Sequence, residues 1–293
     1  MKNKNKKVLT RRDFVRGTVS TIIGSTVLGV NWVSGQDKVR SSLVTIVRDK
    51  NVLNKEFEVD RNILKKMLDQ TVIQFTGKST AKEAWLSIVK PDDVVGLVPT
   101  PHLNPTHEEL VEAITDALVK VGIPKKRIVN AQGGQRDAKA CTALISIPGL
   151  KAHWLTGIGT VLKNYIMYSG RPASYHAENS SKLGEIWHLP VAKGKTKLII
   201  VDALYPLCDK GPQPDPRYKW AYNGLIASTD PVAVDRVCLE IITKKRTALR
   251  GEPWPLSPPP LCIESADKIY GLGTSKLEEI KIQPYGWKED LLI

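Results

Sequence analysis

The part of this chain best equipped for chemistry is the segment KAHWLTGIGTVLKNYIMYSGRPASYH, residues 151–176. It combines two lysines, Lys151 and Lys163, with two histidines, His153 and His176, among glycines and large apolar residues. Burying a lysine without a partner is costly, which argues against an ordinary core segment. The segment therefore predicts a pocket in which lysines hold negative charge and histidines act as ligands or acid–base groups.

Three residues of this segment, Lys151, Lys163 and His176, are the candidate catalytic residues. A lysine can bind an anionic substrate or form a covalent link to it, and a histidine exchanges protons near neutral pH. Thr160 and Asn164 are candidate substrate-binding residues, because a helix opening near Thr160 would direct free N–H groups at an anion. A simpler interpretation stays open, in which Lys163 lies along an amphipathic helix and Asn164 caps it.

A transition-metal site is also compatible with the sequence, although nothing in it identifies the metal. Imidazole and carboxylate groups together suit zinc, iron or nickel, and the candidate ligands are His102, His153, His176 and Asp202. A pair made by His153 and His176 requires ring nitrogens roughly 3–4 Å apart. The alternative for Asp202 is an ordinary residue at a strand-to-loop exit. No cysteine cluster is present, so the sequence offers no iron–sulfur motif.

Two further aspartates and a fourth histidine have less defined positions. Asp230 and Asp235 are candidate substrate-binding residues on either side of the sequence PVAV. Asp230 also suits the first turn of a helix, where the dipole favours a carboxylate, whereas Asp235 falls on an apolar face. His107 is predicted as a surface residue or a neighbour of a helix cap.

The elements that must position these residues alternate along the chain. Short, β-branched apolar runs predict strands buried on both faces, at 43–47, 94–98, 127–130, 143–147 and 198–201. Helical patterns lie between them, at 60–75, 106–121 and 229–243. The second pattern opens with a capping box of Thr106 and Glu109. The alternation predicts an α/β fold, a layered, mainly parallel or mixed sheet with helices on both faces, whose strand-end loops line the ligand crevice.

Composition favours one globular domain. Residues 37–293 are predicted to form a single α/β domain with a proline-rich loop at 251–260, and 42% hydrophobic residues suffice for a large core. The net charge of +13 resides partly in residues 1–16, which carry seven basic residues against one aspartate. Since no recognition motif accompanies the charge, no nucleic-acid partner is expected. Four separated cysteines allow one or two disulfides in an oxidising compartment.

The N-terminus, residues 1–36, is predicted to be an export signal. Arg11 and Arg12 stand in a T-R-R-x-F context ahead of a weakly apolar, uncharged run, and they resemble the twin-arginine signal. A membrane anchor beginning near Gly17 is the alternative, but the run contains several serines, threonines and glycines. We therefore expect the twin-arginine translocase to deliver the protein to the periplasm or the outer face of the cytoplasmic membrane. Cleavage of the signal is left open.

Several separated blocks resemble the family catalogued as domain of unknown function 362. They are AWLSIVKPDDVVGLVP (84–99), HEELVEAI, ALISIPGLKAHWLTGIGTVLKN (143–164), the pair at 175–176, LIIVDAL (198–204) and IASTDPVAVDRV (226–237). The blocks keep the family's order over nearly all of residues 43–273. The family's recurring polar positions map to Lys151, His153, Thr160, Lys163, Asn164, His176, Asp202, Asp230 and Asp235.

The resemblance implies export, because family members often carry twin-arginine signals, and some are fused to ferredoxin-type modules, which implies a redox partner protein. This chain departs from the latter pattern, since it has no cysteine cluster. The fold is also reminiscent of nickel-pincer lactate racemases, in which lysine and histidine hold a cofactor, a fold-level analogy. The leading hypothesis is an exported metal- or cofactor-containing enzyme acting on a small anionic molecule. The alternatives are a non-catalytic binding protein of the cell envelope and an accessory subunit of a redox complex.

Overall fold

The computed structural model describes residues 41–293, and the predicted export signal lies outside the described residues. The helices and strands follow in the order β1 (Ser42–Arg48), α1 (Arg61–Thr76), α2 (Ala81–Ile88), β2 (Val95–Pro99), α3 (Glu108–Lys120), β3 (Ile128–Asn130), α4 (Gln135–Ala138), β4 (Ala143–Ile147), β5 (Gly149–His153), β6 (Gly157–Ile158), α5 (Gly184–Trp187), β7 (Thr196–Leu207), β8 (Gly224–Ser228), α6 (Pro231–Arg250), α7 (Leu261–Lys268) and β9 (Ile280–Gly286). Two 3-10 helices, Leu162–Ser169 and Pro172–Ser180, lie between β6 and α5.

The strands form one mixed sheet in the order β3-β2-β4-β7-β8-β1-β9. β2 pairs in parallel with β3 and β4, and β4 pairs in parallel with the first part of β7. β5 runs parallel to the second part of β7, and β6 folds back on β5 as a short hairpin. β8 is antiparallel to both β7 and β1, and β9 is parallel to β1. The carboxyl ends of β2 and β4 therefore meet at one edge, where ligands bind in sheets of this kind.

Helices cover both faces of this sheet, as the apolar strands require. In β7, Leu198 and Ile200 pack with α1, α2 and α3 on one face, and Ile199 and Val201 pack with α6 and the first 3-10 helix on the other. Side chains alternate between faces along a strand, so a continuous apolar run fills two cores at once. The layered α/β fold predicted from the sequence is confirmed.

Sequence reasoning did not predict the strands β5, β6 and β8, the helix α2, or the four-residue helices α4 and α5. β5 contains a lysine and a histidine, so its composition is not that of a buried strand. The predicted helix at 229–243 continues to Arg250 as α6, and it ends at Gly251, which adopts a left-handed conformation (φ 79°). A glycine in this conformation is a common helix terminator.

Two predicted helix starts are wrong. The capping box of Thr106 and Glu109 does not form, because α3 begins at Glu108 with His107 as its N-cap residue. The Thr106 hydroxyl instead donates to the Ile147 carbonyl and accepts from the Thr100 N–H, so it ties β2 to β4. Thr160 does not open an α-helix either, since the chain forms a 3-10 helix that begins at Leu162.

The proline-rich loop at 251–260 is fastened to the body of the fold by Arg246. This buried guanidinium donates to the carbonyls of Trp254, Pro255 and Cys208, at 2.8, 3.1 and 3.0 Å respectively. The guanidinium also lies 3.9 Å from the centre of the Trp254 ring, a cation–π contact. The loop is therefore held in one place rather than free to swing.

Two further observations concern the cysteines and the length of the helices. All four cysteines are buried and unpaired, so the one or two disulfides that the sequence allows are not formed. No helix within residues 41–293 has the length and apolar character needed to cross a membrane.

Candidate functional site

A cavity of about 290 Å³ opens at the sheet edge where β2 and β4 end. We call it the lysine cavity, and its polar lining consists of Thr100, His102, Gln132, Lys151, His153, Lys163, Asn164 and His176. Its apolar lining consists of Pro99, Pro101, Leu103, Ile166, Met167, Pro172 and Pro212. Six of the sequence-predicted site residues thus lie around one cavity, contributed by four different segments. No aspartate or glutamate among the described residues lines it.

The β5–β6 hairpin brings Lys151 and His153 into this cavity. Gly159 lies against the His153 ring, where an added Cβ would come within 3.1 Å of the histidine carbons. The Gly159 N–H donates to the Lys151 carbonyl at 3.0 Å, and the Thr160 hydroxyl accepts from the Lys151 N–H at 3.3 Å. The tight turn at Gly159 therefore keeps the side chains of Lys151 and His153 on one wall of the lysine cavity. Thr160 therefore holds the backbone of Lys151 with its side-chain hydroxyl and does not itself line the cavity.

Lys151 is a buried lysine, only 5% exposed. Its ammonium donates to the Asn104 carbonyl at 3.2 Å, which ties β5 to the loop after β2. Burial, assisted by the nearby Lys163 charge, lowers the pKa of Lys151 to about 7, and the Asp202 carboxylate only partly opposes this. Near neutral pH, Lys151 is therefore divided between its charged and uncharged forms.

Lys163 approaches the cavity from the first 3-10 helix. Burial lowers the pKa of Lys163 to about 8, so this side chain keeps its charge at pH 7 more fully than Lys151 does. Within residues 41–293, neither cavity lysine takes part in a salt bridge. The cavity therefore carries positive charge that no acidic side chain lining it neutralises.

His153 and His176 stack on each other, with ring centres 5.6 Å apart and planes inclined by 21°. The Leu155 N–H donates to His153 Nδ1 at 3.1 Å, so the neutral ring carries its proton on Nε2. Burial, together with the Lys163 charge, lowers the pKa of His153 to about 3, and the same two causes lower the pKa of His176. His153 is consequently a neutral hydrogen-bond donor throughout the physiological pH range.

Asn164 is held by both strands whose ends form the cavity. Its side-chain nitrogen donates to the Val98 carbonyl at 2.7 Å and to the Ser146 hydroxyl at 2.9 Å. The amide nitrogen donates both hydrogen bonds, and these bonds fix the Asn164 side chain at the wall of the cavity. These are contacts with two strands and not those of a helix cap, which was the alternative interpretation of Asn164.

The two aspartates proposed from the sequence to bind substrate lie outside the lining. Asp235, fully buried on α6, accepts from the N–H groups of Val161 and Leu162, each at 2.8 Å. Burial raises the pKa of Asp235 to about 7, and these two hydrogen bonds oppose the shift. The N–H groups predicted to bind an anion are thus occupied by Asp235, which positions the 3-10 helix that carries Lys163.

Asp230 has a structural place at the N-terminus of α6. Its side chain accepts from the N–H groups of Val232 and Ala233, both at 2.9 Å, and from the Thr274 N–H at 3.1 Å. It is the N-cap residue, in agreement with the alternative considered for it from the sequence.

Asp202 and His107 form a buried pair that sequence reasoning missed. Asp202 accepts from His107 Nδ1 and from the His107 N–H, both at 2.7 Å, and from the Leu204 N–H at 3.1 Å. Burial alone would lower the pKa of His107, but the carboxylate raises it, and the same partnership lowers the pKa of Asp202 against its own burial. His107 is half-buried and is the N-cap residue of α3, so its place is closer to the second of the two sequence interpretations, a neighbour of a helix cap, than to a surface residue. The one feature of the sequence that could have indicated the Asp202–His107 pair is the position of His107 in the same loop as His102.

Residues 109–240 match the family model described as "Domain of unknown function (DUF362)". This match supports the family resemblance read from the sequence blocks, and the matched range contains both lysines, His153, His176 and Asp202. His102 and His107 lie just before it. No curated protein matches the chain. No solved structure matches it either.

Three of the four predicted metal ligands, His102, His153 and His176, line the lysine cavity, whereas Asp202 does not. Within residues 41–293, no three histidine, cysteine, aspartate or glutamate side chains form a group that could hold a metal ion. Asp202 is hydrogen-bonded to His107, and His102 reaches the cavity from the loop after β2. A metal-bound histidine normally donates its second ring N–H to an acceptor, whereas His153 Nδ1 accepts from a backbone N–H. The donor set of the lysine cavity therefore does not fit a transition metal.

Proposed function

We propose that the lysine cavity binds a small organic anion and that the protein is an enzyme acting on that anion. The observation that carries this proposal is the convergence of Lys151 and Lys163 on one cavity without a lining carboxylate. Two like charges in a partly dry cavity repel each other, and a bound carboxylate relieves both the repulsion and the cost of burial. The prolines, Ile166 and Met167 suit a short apolar body attached to the charged group.

The lining residues support distinct roles in this enzyme. Lys163, the more fully charged lysine, binds the anion, and His153 adds a neutral N–H donor. Lys151 has the pKa of a residue that can give or take a proton near neutral pH, which is the range a general base or a nucleophile needs. His176 lies beside His153 and serves as a second proton-transfer group. Asp235 and Asn164 position these residues.

Anion binding should be coupled to proton uptake. Because a bound carboxylate favours the charged lysine, the pKa values of Lys151 and Lys163 rise on binding. Above their free values of about 7 and about 8, each lysine must first gain a proton. We expect the affinity for butanoate to fall by up to about tenfold per pH unit between pH 7 and pH 8, where Lys151 must gain a proton, and more steeply above pH 8, where Lys163 must gain one too. Isothermal titration in buffers of different ionisation enthalpy measures both the affinity and the number of protons taken up.

A matched control separates the cavity from general surface charge. Lys182 is an exposed lysine paired with Glu178, so Lys182→Met should leave butanoate affinity and its pH dependence unchanged. Lys151→Met should remove part of the proton uptake. Failure of butanoate, acetate and phosphate to bind at any pH between about 6 and 9 contradicts an anion site of this kind.

We also propose that the protein is exported by the twin-arginine translocase. The supporting feature is the pair Arg11 and Arg12 ahead of a weakly apolar run. Replacing both by lysine should retain the protein in the cytoplasm, because the paired guanidinium groups are recognised as an address and not merely as charge. Cell fractionation checks this, with Lys6 and Lys7 both changed to arginine as the control that should still be exported. An unchanged envelope location of the first variant rules the signal out.

A further inference from the structure

Lys151 has the surroundings of a nucleophilic amine. It lies on β5 in the wall of the cavity and is 5% exposed, and within residues 41–293 its Nζ has one hydrogen-bond partner, the Asn104 carbonyl. A lysine in a hydrophobic pocket beside a second cation loses its proton readily and then attacks carbonyl carbon. Lys163 is that second cation, since it lines the same cavity.

We propose that Lys151 forms an imine with the carbonyl group of the substrate, and that the substrate is a small 2-oxo acid whose carboxylate is bound by Lys163. This inference rests on the proposed anion site and adds a carbonyl group to the anion that the site binds. In a 2-oxo acid the carbonyl carbon is bonded directly to the carboxylate carbon. Lys163 can therefore bind the carboxylate while Lys151, which lines the same cavity, reaches the carbonyl carbon. The apolar side chains of Ile166, Met167 and Pro212 accommodate a short aliphatic chain.

The step balances without any group from outside the cavity. The nitrogen lone pair of uncharged Lys151 attacks the carbonyl carbon, and the π electrons of the C=O bond move to oxygen. The nitrogen loses one proton and the oxygen gains one, which gives a carbinolamine. The C–O bond then breaks as the oxygen takes a second proton and leaves as water, while nitrogen forms the C=N bond and gives up its remaining proton. The net reaction of amine and carbonyl gives imine and water.

The groups that face Lys151 suit both halves of this reaction. Lys163 faces it from the first 3-10 helix and favours the uncharged amine. The His153 Nε2–H, on the same strand, can donate to the carbonyl oxygen as charge develops there. Asp202 faces it from β7 and favours the charged amine, but its oxygens are already bonded to His107 and Leu204. His176 stacks on His153 and can return a proton to the departing oxygen.

Reductive trapping tests this proposal on the full chain. The protein is incubated with 2-oxobutanoate and sodium cyanoborohydride, which reduces an imine to a stable secondary amine, and the adduct is located by peptide mass mapping. We expect one adduct per chain, on Lys151, and, with 2-oxobutanoate at a saturating concentration at every pH, a trapping rate that rises as the pH approaches 8 and the amine loses its proton. Butanoate, which lacks only the carbonyl, should bind without any adduct and should slow trapping by competition.

Variants make the outcome specific. Lys151→Arg cannot form an imine and should abolish the adduct while still binding butanoate, which shows that the cavity is intact. Lys219→Arg, which alters a half-buried lysine outside the lining, should leave the adduct on Lys151 unchanged. Butanoate binding with no adduct on Lys151 overturns the imine but leaves the anion site standing. If butanoate does not bind to the unaltered protein, both the imine proposal and the anion site are overturned. The map of the unaltered protein decides the question even if Lys151→Arg does not fold.

Discussion

Replacing Asp202 by alanine should lower the free energy of unfolding by about 3–5 kcal/mol, a fall in Tm of roughly 6–20 °C for a domain of this size. Asp202 is 3% exposed and accepts three hydrogen bonds, two of them from His107. Its removal leaves two backbone N–H groups and an imidazole without their acceptor, and unpaired buried donors are costly. Thermal and urea denaturation of the full chain measure the loss.

A matched substitution on α3 provides the control. Asp116 forms an exposed ion pair with Lys65, so Asp116→Ala should cost less than about 1 kcal/mol. Each change removes one carboxylate. Asp116 lies on α3 and is exposed, whereas Asp202 binds the N-cap residue of α3 and is buried. Equal, small losses from the two variants would show that the Asp202–His107 pair contributes little to the fold.

The stabilising effect of this pair should depend on pH from both sides. The pKa of Asp202 is lowered by His107, so the contribution of the carboxylate is present above its usual pKa and is lost as the pH falls through the folded value. The pKa of His107 is raised, so the contribution of the imidazolium is present below its usual pKa and is lost as the pH rises through the folded value. The difference between the unaltered protein and Asp202→Ala should be largest between these limits.

Part of the lysine cavity could be predicted from the sequence, because His102 and Lys151 each follow a strand with a clear apolar run. His102 comes after β2, Lys151 after β4, and parallel strands bring their carboxyl ends to one edge. An apolar strand and the residues just beyond it are enough to predict which side chains lie at the same edge of the sheet. They do not show which atoms each of these side chains contacts.

The contacts that the sequence could not show join distant residues. Asp202 and His107 are 95 positions apart, and Asp235 is 74 positions from the Val161 N–H that it binds. No local pattern distinguishes an aspartate that binds a substrate from one that holds a backbone segment. The same is true of His153, where the direction of one backbone N–H decides whether the ring suits a metal.

Replacing Lys163 by methionine should weaken butanoate binding by roughly 10- to 100-fold, since a hydrogen bond to a charged group contributes about 1.5–3 kcal/mol. Methionine has a similar length and no charge, so the packing of the 3-10 helix is largely kept. Lys163→Arg keeps the charge and should retain most of the affinity. Isothermal titration of the three proteins with butanoate gives the comparison.

The same substitution should raise three pKa values together, which a loss of packing alone would not do. The Lys163 charge follows burial as a cause of the lowered pKa values of Lys151, His153 and His176. Without this charge, each remaining group gains a proton more easily, and NMR titration of the His176 ring should show an upward shift. Lys151 should then stay protonated to higher pH, so reductive trapping of 2-oxobutanoate should need more alkaline conditions. If the His176 pKa stays where it was while butanoate affinity falls, Lys163 binds the anion without setting the charge state of its neighbours. In that case burial alone accounts for the uncharged fraction of Lys151.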